Sequence, residues 1–401
     1  MSPSRRVPVA RLWAAVLLGY LALGATLQEL PGYVVARFHA GTLVVGLTVG
    51  LAFAGTAAAR PLAGRAGDAG RSRGTAIAGG LLAAGAAAGH LLAPDLWVLL
   101  GARLVMGVGE AALFSGTLPW VLAGVQPSRA GRVAGWFGLS MWGGLSIGPL
   151  LAVAAGHAAG ASAVWSLVIA LPVGSAALAA STPRETARPP RARAAGRRGL
   201  LPRGAGDAGV VLGLAAYGYG TLTALLVLFL GTRGLGGQAV QALGLAAFSA
   251  AFLLTRAAGS PLVDTYGGLT VARWVLLAES AGLVLLATAS CGPVALCAVA
   301  LTGVGLGLIY PASTRLTLDR AAGGAAGAAV GAMTSFWDLG ILAAGPAGGL
   351  VAETAGFRAA FWAAAAMALA ALAVTSMLPR PSSPAPGMRQ ADRPDRSCGV
   401  S

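Results

Sequence analysis

The chain has 401 residues, of which 56% are hydrophobic and only 10% charged, and its formal net charge is +15. A soluble domain carries roughly 25% charged residues, so a water-facing surface of normal size cannot be covered, and lipid is the solvent for most of this molecule. A basic balance often points to a nucleic-acid partner, but the placement of the basic residues along the chain points to a membrane instead.

A spanning helix needs about 20 apolar residues, and the sequence offers twelve such stretches, at 11–31, 42–62, 74–93, 97–121, 132–156, 162–180, 208–231, 238–262, 271–290, 293–316, 326–351 and 357–378. The first follows Arg5 and Arg6 in the manner of a secretory signal, yet it is long enough to cross the bilayer and eleven more follow, so it reads as a retained helix. The predicted fold is an all-α integral membrane protein of 12 transmembrane helices. Residues 1–180 form an N-terminal six-helix bundle, 181–207 an Arg- and Pro-rich cytoplasmic linker, 208–378 a C-terminal six-helix bundle and 379–401 a disordered cytoplasmic tail. All 28 basic residues are Arg. With the N-terminus in the cytoplasm, all but Arg37, Arg233, Arg358 and the intramembrane Arg103 fall on the cytoplasmic side, and this positive-inside bias puts both termini there. The Arg cluster at 184–203 reads as a solvated stretch, or as one with affinity for anionic lipid headgroups.

The second half superposes on the first without a gap: Arg60 on Arg256, Asp68 on Asp264, Gly107 on Gly303, Gly109 on Gly305, Gly135 on Gly331 and Gly144 on Gly340. Glycine matches are cheap in a chain with 61 Gly, but Arg and Asp are scarce and share the same register. Duplicated helical halves are how many secondary transporters are built, with the substrate site between them.

Candidate chemistry appears in chain order. Gln28 and Glu29 lie near the outer end of the first span. Between spans two and three the run ARPLAGRAGDAGRSRG carries Gly64, Asp68, Arg71 and Arg73; an acid at a helix end can pair with Arg and with a neighbouring helix N-terminus, acting as a latch, or can merely cap a helix. Its counterpart in the second half keeps Arg256, Asp264 and Gly267 without the Arg cluster. Span four holds RLVMGVGEAAL, in which Arg103, Gly107 and Glu110 share one helical face. A charge facing lipid is costly, so this face is expected to point into the bundle, where Glu29 or Glu110 could exchange its interaction with Arg103 for a proton, or pair with it structurally. Span five carries Gly135, Gly144, Gly148 and Pro149, and span eleven repeats them in part as Gly331, Gly340, Gly345 and Pro346. Small residues allow close helix approach, and a Pro adds a bend. Span eleven also holds Phe336, Trp337 and Asp338 near the midplane; an acid at that depth is a proton-carrier candidate, or a buried hydrogen-bonded structural group. Glu279 in span nine reads as structural. Gln28, Trp142, Tyr217, Phe336 and Trp337 are candidate cavity residues, with Tyr219 beside them as a further mid-span aromatic and core packing as the alternative for the aromatics.

Three of these signatures, in order and spacing, resemble the major facilitator superfamily and its drug:proton antiporter branch. The loop resembles G-x-x-x-D-R-x-G-R-R, with Ala69 where an Arg is usual and one residue fewer before the Gly-Arg pair. Span four resembles R-x-x-q-G-x-g-a-a, with Met106 for Gln. Span five follows G-x8-G-x3-G-P-x2-G-G through its Pro, ending instead in Ala152 and Val153. The resemblance implies two pseudo-symmetric bundles rocking about a midplane cavity, proton-coupled efflux of small amphipathic organic molecules, and a span-five contact that seals the halves. A proton-coupled importer or facilitator on the same scaffold is the alternative. A membrane-embedded enzyme would need a nucleophile with a base, or a metal cluster. The three His are scattered, and Cys291, Cys297 and Cys398 show no ligand spacing. No cofactor, metal or catalytic residue is therefore expected; the partners are a small-molecule substrate, protons and the lipid bilayer, with no nucleic acid, and the protein is expected to be a monomer in a bacterial inner membrane.

Overall fold

The computed structural model describes residues 7–123, 125–184, 204–232, 235, 237–320 and 326–378. Residues 185–203 of the predicted linker and the basic tail from 379 lie outside the described residues, and the linker's last residues, Ala205 to Asp207, already belong to a helix. Among those residues there are eleven helices and no strand: α1 (Val9–Phe38), α2 (Thr42–Asp68), α3 (Ser72–Leu92), α4 (Leu96–Val121), α5 (Pro127–Ala180), α6 (Ala205–Thr232), α7 (Gly237–Tyr266), α8 (Gly268–Thr288), α9 (Gly292–Arg320), α10 (Ala326–Ala355) and α11 (Phe357–Met377). All eleven contain a segment long and apolar enough to cross a membrane. In hydrocarbon a helix satisfies its backbone amides internally, and side chains such as Leu254 and Leu62, 70% and 65% exposed, face outward where lipid meets them.

Twelve separate spans were expected and eleven continuous segments are found, because α5 joins two of them. It runs for 54 residues and breaks at Ala159 and Gly160, the latter with φ 74° and ψ −173°. A straight helix of that length would extend about 80 Å, more than twice the thickness of a bilayer. Instead its two limbs fold back along α1. Trp13 donates to the Trp136 carbonyl at 3.3 Å and Arg11 to the Ser181 carbonyl at 2.7 Å, while Tyr33, at the other end of α1, meets Trp165 with ring centroids 4.9 Å apart. Gly356, which matches Gly160 in the repeat register, has φ 87° and ψ 163° and separates α10 from α11. A left-handed glycine makes the same reversal in both halves.

The packing repeats with the sequence. Helices α1 and α5 pair as α6 and α10 do, α2 and α4 as α7 and α9, and α3 and α4 as α8 and α9. The two groups meet mainly through α2 against α10, and less extensively through α5 against α7. Near the α1–α2 turn this seam is tight: a Cβ on Gly46 would strike the Gly345 carbonyl, and one on Gly345 the Gly46 carbonyl. Thr42 Oγ1 donates to the Gly349 carbonyl at 2.8 Å, and the Leu43 N–H donates to the Glu353 carboxylate at 3.1 Å. That end of the bundle is closed across the seam.

Gly144 and Gly148, expected to seal the halves against each other, instead lie against Tyr20, Leu21, Gly24 and Ala25 of α1 in their own half. Gly340 likewise packs on Gly213 and Ala216 of α6, and Gly107 on Ala52 and Thr56 of α2. Pro149 is buried beside them. The signature serves close helix packing, as its small residues predict, but within a half. Gly135 and Gly331, further along the same two helices, have nothing within 4 Å of a would-be Cβ.

Candidate functional site

At the centre of the bundle, side chains from both halves converge on a narrow cavity lined by Tyr20, Phe53, Thr56, Arg60, Glu110, Trp142, Thr334, Trp337 and Asp338, among others. Its free volume is about 10 Å³, about one water's worth, so the site is collapsed around its own side chains. A wider crevice of about 620 Å³, lined by Arg71, Arg73 and Arg184 among others, opens at the ends of α2 and α3. It contains none of the buried acids, so the chemistry belongs to the central site.

The central contact is an ion pair across the seam. Arg60 of α2 grips Asp338 of α10 with two parallel bonds, Nε to Oδ2 at 2.6 Å and Nη2 to Oδ1 at 3.1 Å. Its remaining nitrogen reaches Ser115 Oγ at 3.4 Å. Asp338 is 1% exposed and Arg60 12%. Bidentate geometry of this kind is the strongest form of a side-chain ion pair, and it is one of two ion pairs among the described residues, the other being Arg315 with Asp319 at a helix surface. Asp338 is thus brought into the site as expected. Arg60 was legible only as a landmark of the duplication. The second apolar window stops at residue 62, which suggests a position at the helix end, whereas α2 continues to Asp68. The extra residues carry Arg60 about 12 Å inward from that end.

Arg103 and Glu110 do share a face, directed at α2 and the cavity, but they do not pair. Seven residues along one helix separate them by about 10 Å. Arg103, fully buried, donates to the Thr48 carbonyl at 2.8 Å and the Val49 carbonyl at 3.5 Å, and approaches Met106 Sδ at 3.4 Å. Glu110 is also fully buried, and neither of its carboxylate oxygens has a hydrogen-bond partner; Tyr20 donates only to its backbone carbonyl, at 3.3 Å. Glu29 is half-buried toward the far end of α1, and Gln28 is buried there with an unpartnered Oε1. Neither lines the cavity. Glu279 is a second fully buried acid without partners, wedged among α6, α8 and α9 away from the cavity.

Aromatic rings make up the opposite wall. Trp142 lies 5.0 Å from Trp337, 5.5 Å from Tyr310 and 5.6 Å from Phe252, measured between ring centroids. Tyr219 continues the cluster at 5.6 Å from both Trp337 and Phe248. Tyr219, rather than Tyr217, joins it: two residues on a helix point to nearly opposite sides. Phe336 does not line the cavity either: its ring lies against Gly209 of α6, and its backbone carbonyl against Gly213. Behind Trp142 sits Arg256 of α7, with its guanidinium carbon 5.1 Å from the Trp142 ring centre, 5.6 Å from Tyr310 and 6.0 Å from Phe252.

The latch residues are apart. Asp68, Arg71 and Asp264 are exposed and make no side-chain hydrogen bond or ion pair among the described residues. Gly64 has only the Ser115 carbonyl near it. Arg73 ties the start of α3 to the end of α5, donating to the Thr182 and Ala180 carbonyls at 2.9 and 2.6 Å. Among the described residues no group of three or more His, Cys, Asp or Glu could hold a metal ion.

Comparison with known proteins agrees with this architecture. The family model of the Major Facilitator Superfamily matches residues 12–345, and matches again over 211–397, as a duplicated chain should. An uncharacterized MFS-type transporter of Salmonella typhimurium is 32% identical over 387 residues, covering 94% of this chain and 98% of that protein. Among solved structures, a bacterial homolog of the human lysosomal transporter Spinster, in an inward-facing and occupied conformation, superposes with a TM-score of 0.74 at 14% identity, over 94% of this chain and 97% of that one. The human organic anion transporter MFSD10 does so with a TM-score of 0.68 at 15% identity, over 93% and 100%. With its duplicated all-helical fold, its central seam and these matches, the chain is a multi-pass membrane transporter belonging to the Major Facilitator Superfamily.

Proposed function

We propose that this protein is a proton-coupled exporter of small amphipathic organic molecules, of the drug:proton antiporter type, working by alternating access of two six-helix halves. In this reading the two limbs of α5 are separate crossings, which makes twelve, and the termini face the cytoplasm of a bacterial inner membrane. The sealed end at the α1–α2 turn then faces outward. The protein works as a monomer without a cofactor.

The observation that carries the reading is the buried Arg60–Asp338 pair, set across the seam and beside a second acid that has no partner. A charge left alone in a bilayer interior is costly, and removing one member of a buried pair is strongly destabilising. Protonating Asp338 removes its negative charge and frees Arg60 to turn toward Glu110, on the same cavity and within its own half. The link between halves is thereby exchanged for a link inside one half, which loosens the seam. Losing the proton on the other side restores the cross-half pair. Arg60 thus takes the exchange role that the sequence suggested for Arg103, which serves as an anchor between α4 and the backbone of α2.

The test is substrate-induced proton flux in proteoliposomes across a compound panel. The expected result is that at least one amphipathic compound moves against its gradient when a pH gradient is imposed, with protons moving in the opposite direction. Transport indifferent to the pH gradient, or chemical turnover without movement across the bilayer, would overturn the reading.

A further inference from the structure

The register that lays Arg60 on Arg256 also lays Trp142 on Asp338. The two contacts across the seam are therefore symmetry mates: α2 reaches α10 with Arg60 on Asp338, and α7 reaches α5 with Arg256 on Trp142. One arginine has a carboxylate and the other has a ring where the carboxylate should be. Arg256 is 8% exposed, and the one hydrogen bond its side chain makes among the described residues, to the Gly307 carbonyl, is 3.5 Å long, at the limit of a real interaction. Arg103 is buried more deeply still but has the Thr48 carbonyl at 2.8 Å. No acidic side chain among the described residues pairs with Arg256.

Aromatic faces stabilise a cation by about 0.5–2 kcal/mol each, less than a charge-assisted bidentate pair. Arg256 is thus held in place but not neutralised. The rings that hold it, Trp142, Tyr310 and Phe252, continue through Trp337 into the central cavity. Trp142 stands between the cavity and the guanidinium, so a turn of that one side chain joins the two.

We infer that Arg256 is the receptor for an acidic group on the transported molecule, and that the substrate class is small organic anions, carboxylates above all, carrying an aromatic or flat apolar body. The acid of the substrate takes the place that Asp338 fills in the other half, and its apolar body stacks between Trp142 and Trp337. This rests on the transport reading and sharpens it by naming the charge of the cargo. The occupied site would contain two matched arginine–carboxylate pairs, one built in and one carried by the substrate.

Binding tests this separately from transport. Purified full-length protein is assayed by scintillation proximity with radiolabelled naphthalene carboxylate, with its neutral carboxamide and the corresponding naphthylmethyl ammonium as competitors. A hydrogen-bonded charge pair makes the carboxylate bind at least roughly tenfold tighter than the carboxamide, and the ammonium does not compete. In Arg256→Gln the preference for the acid disappears while carboxamide affinity stays within about twofold, and Arg256→Lys retains part of the preference. Trp142→Asp keeps Arg256 but supplies the missing carboxylate, and it too abolishes binding of the acid. This variant covers the case in which Arg256→Gln does not fold. The inference is overturned if the ammonium or the carboxamide binds as well as the acid, if no acid binds, or if acid binding survives in either Arg256→Gln or Trp142→Asp. An acid preference without proton-coupled movement in vesicles would overturn the antiporter reading and leave the anion site standing.

Discussion

The two seams between the halves occupy equivalent places in a duplicated chain and hold together by different physics. Where α2 meets α10, glycines bring backbones into contact at one end and an ion pair joins the helices at the centre. Where α7 meets α5, the contact is looser, and its arginine faces rings instead of an acid. A duplication begins with identical contacts. The divergence leaves one seam with a built-in counter-charge, suited to hold and release on protonation, and the other with an open cation suited to meet something that comes and goes. On the proposed reading, asymmetry at equivalent positions separates coupling from recognition.

The contrast makes unequal predictions for equivalent substitutions. Arg60→Leu strands Asp338 in the interior and should cost about 3–5 kcal/mol, read as a large fall in the melting temperature of the purified protein. Replacing both Arg60 and Asp338 with Leu should recover most of that stability, because no lone charge remains, while coupled transport stays lost. Gly46→Leu forces a side chain into the Gly345 carbonyl. It should cost about 1–3 kcal/mol by overpacking and prevent closure at that end, so that a cysteine at Thr42 becomes reactive to a membrane-impermeant thiol reagent. Arg256→Leu leaves no acid behind; it gives up ring contacts and one long hydrogen bond but also ends the cost of burying an unneutralised charge, so the fall in stability should be clearly smaller than that of Arg60→Leu. An effect as large as that of Arg60→Leu would erase the distinction between the seams. Glu110→Gln keeps a polar group of the same size where no hydrogen bond is lost, so it should cost less stability than Arg60→Leu, but it should flatten the pH dependence of transport.

Much of this was written in the chain. Apolar runs of spanning length gave the helices, and the pairing of Arg60 with Arg256 in one register gave the two halves, because both signals are local or periodic. The depth of Asp338 also marked it, since an acid in the middle of an apolar run is too costly to persist there without a use. What could not be read was partnership. Arg60 bonds to a residue 278 positions away, and nothing in either segment announces the other. Helical phase was equally hidden. Tyr217 and Tyr219, or Phe336 and Trp337, are equivalent as composition, and only helix packing decides that Trp337 lines the cavity while Phe336 meets a neighbouring glycine, and that Tyr219 rather than Tyr217 joins the aromatic cluster. The span-five glycines foretold a close contact but not its partner, because small residues fit any helix that comes near. The partners of Arg103 were hidden for a related reason: a backbone carbonyl can accept an arginine's hydrogen bonds as an acid can, and carbonyls leave no trace in a sequence.

The central claim is that the cross-half pair of Arg60 and Asp338 couples proton movement to rocking of the halves. Its most direct test uses proteoliposomes containing the Asp338→Asn protein, with a transported compound added and proton flux followed by an internal pH dye. The account predicts that the native protein moves protons when substrate is added, and that Asp338→Asn moves none while still exchanging labelled for unlabelled substrate across the bilayer. Proton flux equal to that of the native protein in the Asp338→Asn vesicles would contradict it.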